Sequence, residues 1–281
     1  MATYRIMSNN QWYCDRQTDA WKALGIDSTG AVREEGFARF YRETQPDLIG
    51  LQEVSPTMAE SLMTILTADG GRYALLCVHD TPVIYRSDRF ELVDSDFRLY
   101  PDDVPGWDGC FNNSHTKSWC IAVLRAKETG KRLIFASTHL WWKSSNPALS
   151  WYQTGSDEAR AYQLGMLMDR VAQFQAQYNA PAIIVGDLNA KYASPAVQAA
   201  LSRGYRHAHD IAVEFANEED GMHECGPDGY EPYTPATFAE SIDHILIKDA
   251  PEGFVRRFDR AMPDYYLTLS DHAPTWIDVQ Y

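Results

Sequence analysis

Apolar positions along the chain fall into short runs that switch between a two-residue and a helical period. Tyr4 to Ser8 reads as a first strand. Val32 to Glu43 is predicted helical, because Phe37, Phe40 and Tyr41 share one face. Pro46 separates that helix from a second strand, Asp47 to Val54, and a helix follows from about Thr57 to Ala68. Three strand-like stretches come next, Tyr73 to Val78, Pro82 to Tyr85 and Phe90 to Leu99. Arg86-Ser87-Asp88-Arg89 is read as a hairpin turn joining the last two.

Trp119 to Arg125 and Arg132 to Thr138 form another predicted pair around the turn Glu128 to Lys131. The longest helical stretch is Asp157 to Tyr178, with Ser156 as its N-cap, and its apolar residues Ala161, Leu164, Leu167, Met168, Val171 and Phe174 recur at helical spacing. Pro181 to Val185 is wholly apolar and reads as a strand buried on both faces. Ser194-Pro195 opens a helix with proline at its first position, and Ser241 to Ile247, Phe254 to Arg260 and Thr275 to Val279 are the final strands. Hairpins and helix-linked crossovers occur together, which predicts a mixed sheet system. No repeat, low-complexity linker or boundary interrupts the 281 residues, so one domain over 1–281 is expected.

Composition narrows the function classes. Apolar residues make up 45% and charged residues 23%, an ordinary globular balance. No apolar run is long enough to span a bilayer, and the opening residues read as a strand and not as a secretory leader, so the cytoplasm is the default expectation. The net charge of −14 opposes an extended grip on a polyanion, since Lys and Arg make most phosphate contacts. It leaves room for a phosphorylated substrate held through bound metal. Cys14, Cys77, Cys110, Cys120 and Cys225 show no metal-ligand spacing and read as buried, reduced thiols.

Candidate chemistry gathers where apolar strands end. Leu48-Ile49-Gly50-Leu51 runs into Gln52-Glu53, Leu133-Ile134-Phe135 leads through Ser137-Thr138 into His139, and Ile183-Ile184-Val185-Gly186 leads into Asp187-Leu188-Asn189. Ile242 precedes Asp243-His244. Rigid scaffolds display reactive groups at such strand ends, and four of them suggest convergence on a cleft. Asp187 and Asn189, two apart, can act on one target as oxygen ligands or by orienting a water; an Asx turn into the next helix is the competing reading. Ser270-Asp271-His272 offers a carboxylate beside an imidazole, or a polar cap on the last strand.

In this order the strings resemble the metal-dependent endonuclease/exonuclease/phosphatase superfamily with a DNase I-like fold. The resembling segments are Arg5 to Asn10, Pro46 to Glu53, Ile84-Tyr85-Arg86, Ser137 to Leu140, Gly186 to Asn189, Ser241 to His244 and Leu269 to His272. The resemblance implies a four-layer αββα sandwich of two packed mixed sheets flanked by helices. It implies Glu53 as principal Mg²⁺ ligand, Mn²⁺ being able to substitute, with Asn10 and Asp271 completing the metal shell. Asp187 would position or deprotonate the attacking water, with Asn189 holding the phosphate or that water. His272, oriented by Asp243, would transfer a proton or stabilise phosphoryl oxygens, and His139 and Tyr85 would donate hydrogen bonds to them. A further basic or amide residue is expected from Asn113, His115 or Lys117, and His244 is read as structural.

Substrate choice is expected in the long loops Gln11 to Gly30, Pro101 to Ser118, Trp141 to Gly155 and the acidic Asn217 to Pro235. These hold Trp12, Trp21, Trp107, Trp141, Trp142 and Trp151. Trp12, Trp141 and Trp142 are expected to form a substrate wall, while Trp21 is expected to pin its loop. Nearby cations are Arg16, Lys143, Arg160, Lys191 and Arg206, with Arg160 equally suited to a helix-surface ion pair. A compact phosphodiester or phosphomonoester is the first expectation and a short or single-stranded nucleic acid the second. A non-catalytic binding protein on the same scaffold would lack part of the set Glu53, Asp187, Asn189 and His272, all present here. Oligomeric state is not encoded in any pattern found.

Overall fold

The computed structural model describes residues 1–13, 23, 25–27, 29–68, 70–76, 79–216, 225–226, 229–230, 240–260 and 262–281. Among them run strands β1 (Thr3–Asn10), β2 (Leu48–Gln52), β3 (Tyr73–Leu76), β4 (Val83–Arg86), β5 (Phe90–Leu99), β6 (Ser118–Ala126), β7 (Arg132–His139) and β8 (Ala182–Asp187). They continue with β9 (Arg206–His207), β10 (Glu214–Ala216), β11 (Cys225–Gly226), β12 (Gly229–Tyr230), β13 (Asp243–Lys248), β14 (Val255–Asp259) and β15 (Thr275–Gln280). The helices are α1 (Gly30–Thr44), α2 (Pro56–Thr67), α3 (Ser156–Tyr178), α4 (Pro195–Ser202) and the single turn α5 (Ala208–Ile211).

A seven-stranded sheet in the order β10-β14-β15-β1-β2-β4-β3 packs against a six-stranded sheet in the order β5-β6-β7-β8-β13-β9. Both are mixed: β1–β2 and β7–β8 are parallel, while β1–β15, β6–β7 and β8–β13 are antiparallel. Phe37, Phe40 and Tyr41 of α1 and Leu62 of α2 cover the outer face of the larger sheet against Met7, Ile49, Leu51 and Trp276. Leu164, Leu167 and Val171 of α3 cover the other against Ile121, Ile134 and Ile184. The result is the four-layer αββα sandwich expected. No helix of the described residues is long and apolar enough to cross a membrane.

The element limits follow local chemistry. Ser55 caps α2 by accepting the Met58 N–H at 3.3 Å, with Pro56 in the first turn, where its missing donor costs nothing. The N-cap of α3 is Gly155 and not the expected Ser156: Gly155 has φ 83, and a Cβ there would lie 2.8 Å from the Trp107 ring. Trp107 thereby pins the loop after β5 onto α3. The turn at Arg86–Arg89 exists, with Arg89 N–H donating to Arg86 O at 3.1 Å, but it does not make a hairpin. It carries the chain from β4 in one sheet to β5 in the other, because β4 already has β2 and β3 as partners.

Of the thiols, Cys120 is buried as expected, while Cys110 is exposed. Cys14, Cys77, Arg16, Trp21 and Glu218 to Asp220 lie outside the described residues.

Candidate active site

The layer between the sheets changes character along its length. Strand alternation sends Tyr4 and Ile6 of β1, Phe135 of β7, Ile183 and Val185 of β8, and Ile245 and Ile247 of β13 into an apolar inter-sheet core. The same faces continue, two residues at a time, into Ser8 and Asn10, Ser137 and His139, Asp187, and Asp243. All of these lie at one end, since His139 pairs with Ser118 and Asp187, and Asp187 with Asp243. Polar bridges replace apolar packing there: Ser137 Oγ donates to Leu51 O at 2.7 Å, and Gln52 Nε2 donates to Ser137 Oγ at 3.0 Å. Gly50 permits the approach, since a Cβ on it would lie 2.3 Å from Val185 Cγ2 and 3.0 Å from Ser137 Cβ.

Above this floor opens a cavity of about 610 Å³, with Glu53, Lys117, His139, Asp187, Asn189, Asp271 and His272 in its lining. Asp187 is its best-held carboxylate. Its Oδ1 accepts the Asn189 N–H at 2.8 Å, and its Oδ2 accepts Asn10 Nδ2 at 3.0 Å and lies 3.4 Å from His139 Nε2. The Asx turn and the site carboxylate are therefore one and the same residue. Asn189 Nδ2 donates to Leu140 O at 3.1 Å, tying the loop after β8 to that after β7. His272 Nδ1 lies 2.7 Å from Asp243 Oδ2, and its Nε2 is 3.8 Å from Asp187 Oδ2 and 3.9 Å from Asp271 Oδ1. Ser270 closes this segment by donating to Asn10 O at 2.7 Å while accepting the His272 N–H at 3.0 Å.

Backbone strain concentrates in the lining. Trp12, Tyr13, Glu53 and Asn189 all have φ between 40° and 56°, the left-handed region that costs a non-glycine residue about 1–2 kcal/mol. The surroundings hold them there. Tyr13 N–H donates to Glu53 O at 2.9 Å, and Trp12 N–H to Asn10 Oδ1 at 2.8 Å. The buried Arg33 guanidinium of α1 donates to Tyr13 O at 3.0 Å and to Leu269 O at 2.8 Å, so one side chain anchors both the Trp12 and the His272 segments. No sequence signal pointed to Arg33.

Charge in the cavity is unevenly distributed. Burial pushes the Asp187 carboxyl up to about 6, against the pull of His272. Burial likewise raises Asp271 to about 7. Burial also opposes the His272 cation, yet Asp243, Asp271 and Asp187 together outweigh it and hold that imidazole well above its ordinary value. His139 moves the other way, well below its ordinary value, through burial and the Lys117 charge.

Of the three candidates for a further basic or amide residue, Lys117 lines the cavity. It is buried, with Nζ 2.6 Å from His139 Nε2, whereas Asn113 is exposed and His115 is exposed beside Asp102 at 3.5 Å. Other expectations are corrected. Tyr85 packs against the inter-sheet core, opposite Leu48 at the far end of β2, because β4 runs antiparallel away from the cavity. Trp141 is fully buried against Phe111 with ring centroids 5.9 Å apart, so of the three expected wall residues Trp12 and Trp142 line the cavity and Trp141 does not. Asn10 accepts the Trp12 N–H on its amide oxygen and donates its amide nitrogen to Asp187, so it orients that carboxylate. His244 faces away, as expected, with Nε2 2.6 Å from Ala190 O. Arg160 does pair with Asp157, though it is buried, and Arg206 binds Ala250 O at 2.8 Å instead of reaching the cavity.

One ligand atom from each of Glu53, His139 and Asp187 lies within 4.8 Å of the others, a set that could hold a metal ion. Asp271 Oδ1 is buried with no hydrogen-bond partner, which adds an unsatisfied anionic oxygen beside them. Carboxylate oxygens and one imidazole suit a divalent cation, so the residues present fit such an ion.

Solved structures of similar shape cover essentially the whole chain. An endonuclease/exonuclease/phosphatase from Bacteroides vulgatus superposes with a TM-score of 0.77 at 20% identity, covering 100% of this chain and 99% of its own. A mannosyl-6-phosphatase of Bacteroides thetaiotaomicron gives 0.74 at 17% identity, over 99% and 100%. TDP2 of D. rerio, complexed with single-strand DNA product, gives 0.64 at 16% identity, over 100% of both chains. At these identities the likeness is one of fold. No curated protein matches the sequence. A family model does, over residues 26–272, a span running from the loop before α1 through His272. The chain belongs to the Endonuclease/Exonuclease/phosphatase family.

Proposed function

We propose that this protein hydrolyses a compact phosphoester by in-line attack of water, with Mg²⁺ bound and Mn²⁺ able to replace it. One observation carries the reading: three carboxylates, two imidazoles and a buried lysine converge on a single cavity at the end of the sandwich. Glu53, with His139 and Asp187 beside it and the unpartnered Asp271 Oδ1 adding a further oxygen, would hold the cation, which supplies charge neutralisation at the phosphoryl oxygens. Asp187 takes the proton of the attacking water at Oδ2, a role suited to a carboxyl that burial has raised to about 6. His272, held by Asp243 Oδ2 at 2.7 Å, presents Nε2 to the phosphoryl group and to the departing oxygen. Lys117, His139 and Asn189 hold the remaining oxygens against the charge that builds as the bond to phosphorus forms.

Small esters are favoured over long nucleic acid. The net charge is −14, and cations near the cavity are largely committed: Arg160 to Asp157, Lys191 to Glu240. The mannosyl-6-phosphatase of like fold is consistent with this choice. The test is phosphate or p-nitrophenol release from a panel of sugar phosphates, nucleotides, phospholipid headgroups, oligonucleotides and mono- and bis-p-nitrophenyl phosphate, with Mg²⁺. Activity on small esters that Asp187→Ala abolishes is expected. Inactivity across the panel would refute hydrolysis, and plasmid nicking at physiological salt would put a nuclease first.

A further inference from the structure

Beside the main cavity lies a groove of about 340 Å³, and the two share Trp142 and Asn189 as walls. Its loop is well tied down. Ser144 N–H donates to Trp151 O at 3.1 Å and Gln153 N–H to Ser144 O at 2.9 Å. Beneath them Arg160, 4% exposed, donates to Trp141 O at 3.2 Å and Lys143 O at 2.7 Å. On this fixed base Trp142 and Trp151 stay 44% and 47% exposed, large aromatic surfaces that a folded chain ordinarily covers. Arg160 also lines the groove, and its Nε is buried without a hydrogen-bond partner.

Charge decides what the groove can hold. Asp157 pairs with Arg160 and Glu240 with Lys191, so two of the three cations in the lining are already neutralised. A second phosphate would find little net attraction. A neutral ring with many hydroxyls fits better: indole faces cover its C–H surfaces, while Ser144, Ser145 and Asp157 offer polar atoms to its hydroxyls. The volume lies within the range of pockets that enclose small ligands.

We propose that this groove is the subsite for the alcohol half of the substrate, and that the substrate class is sugar monophosphates. The assignment rests on the phosphoesterase reading above. Water oxygen bonds to phosphorus, the bond from phosphorus to the sugar oxygen breaks, that oxygen takes a proton, and free sugar and inorganic phosphate leave.

Saturation-transfer NMR on the full chain tests it with glucose, mannose and fructose 6-phosphates against adenosine monophosphate. Transfer to sugar-ring protons of at least one hexose phosphate is expected, lost in Trp151→Ala and kept in Trp151→Phe, with both variants checked for fold by circular dichroism. In turnover, Trp151→Ala should raise KM for that hexose phosphate about tenfold while leaving kcat within about twofold. Absence of transfer from all three sugars, transfer indifferent to Trp151, or Trp151-dependent transfer to adenine protons alone overturns the subsite. Loss of the phosphoesterase reading shows separately, as absence of phosphate release by wild type, since the NMR experiment needs no turnover.

Discussion

Asp187 and Asp243 are direct partners across β8 and β13, and His272 reaches both, with Nδ1 2.7 Å from Asp243 and Nε2 3.8 Å from Asp187. Two carboxylates side by side on one buried face repel each other unless a cation stands between them. His272 supplies that charge, which is why its affinity for protons rises in spite of burial. Asp243→Asn keeps the shape and removes the charge that orients the ring. We expect kcat to fall about 100-fold or more with KM little changed, at near-wild-type thermal stability. Steady-state kinetics check this, and an unaltered kcat would remove Asp243 from the machinery.

Lys117, the lysine among the described residues of the main cavity's lining, places Nζ 2.6 Å from His139 Nε2. Lys117→Met should therefore lower kcat/KM by about ten- to a hundredfold, as expected for the loss of one charged donor to an anion. The deficit should shrink little when ionic strength rises, because the site is buried.

Gly50 sets how closely the sheets meet beneath the cavity. Gly50→Ala drives a methyl to 2.3 Å from Val185 Cγ2, so β2 or β8 must shift. Urea unfolding should show a loss of about 1–3 kcal/mol. The variant should also lose activity beyond what stability explains, since Glu53 directly follows β2.

A buried histidine pair makes the fold acid-sensitive. His207 Nε2 lies 3.0 Å from His244 Nδ1, and burial lowers both, His244 to about 4. Folded His244 binds a proton less readily than unfolded His244, so its contribution to stability is full above about pH 6.5 and is lost as pH falls toward 4. Unfolding midpoints of wild type and His244→Gln should diverge at neutral pH and converge as pH drops through that window. Parallel pH profiles would contradict the assignment.

The sequence made the layers and the acidic motifs readable because strand alternation and strand-end polarity are local properties. Pairing is not local. The Arg86–Arg89 turn has the composition of a hairpin, yet only the competition between β2 and β5 for β4 decides its sheet, and Tyr85 was misplaced with it. Lys117 was within reach: the β6–β7 hairpin puts Ser118 opposite His139, and counting back from its turn singles out the residue next to the site. Trp141 and Trp142 could not be told apart, because the chain leaves β7 at His139 and strand alternation no longer applies. Arg33 acts through backbone carbonyls brought together only in the fold.

The most direct measurement is phosphate release from the best ester of the panel by the chelator-stripped full chain as Mg²⁺ is titrated back, for wild type and Asp187→Asn. Negligible turnover without the cation, a saturable rise with Mg²⁺ for wild type and a flat response for Asp187→Asn are expected. Full turnover by the stripped protein, or an Asp187→Asn curve that overlays wild type, would contradict the proposed metal-dependent hydrolysis.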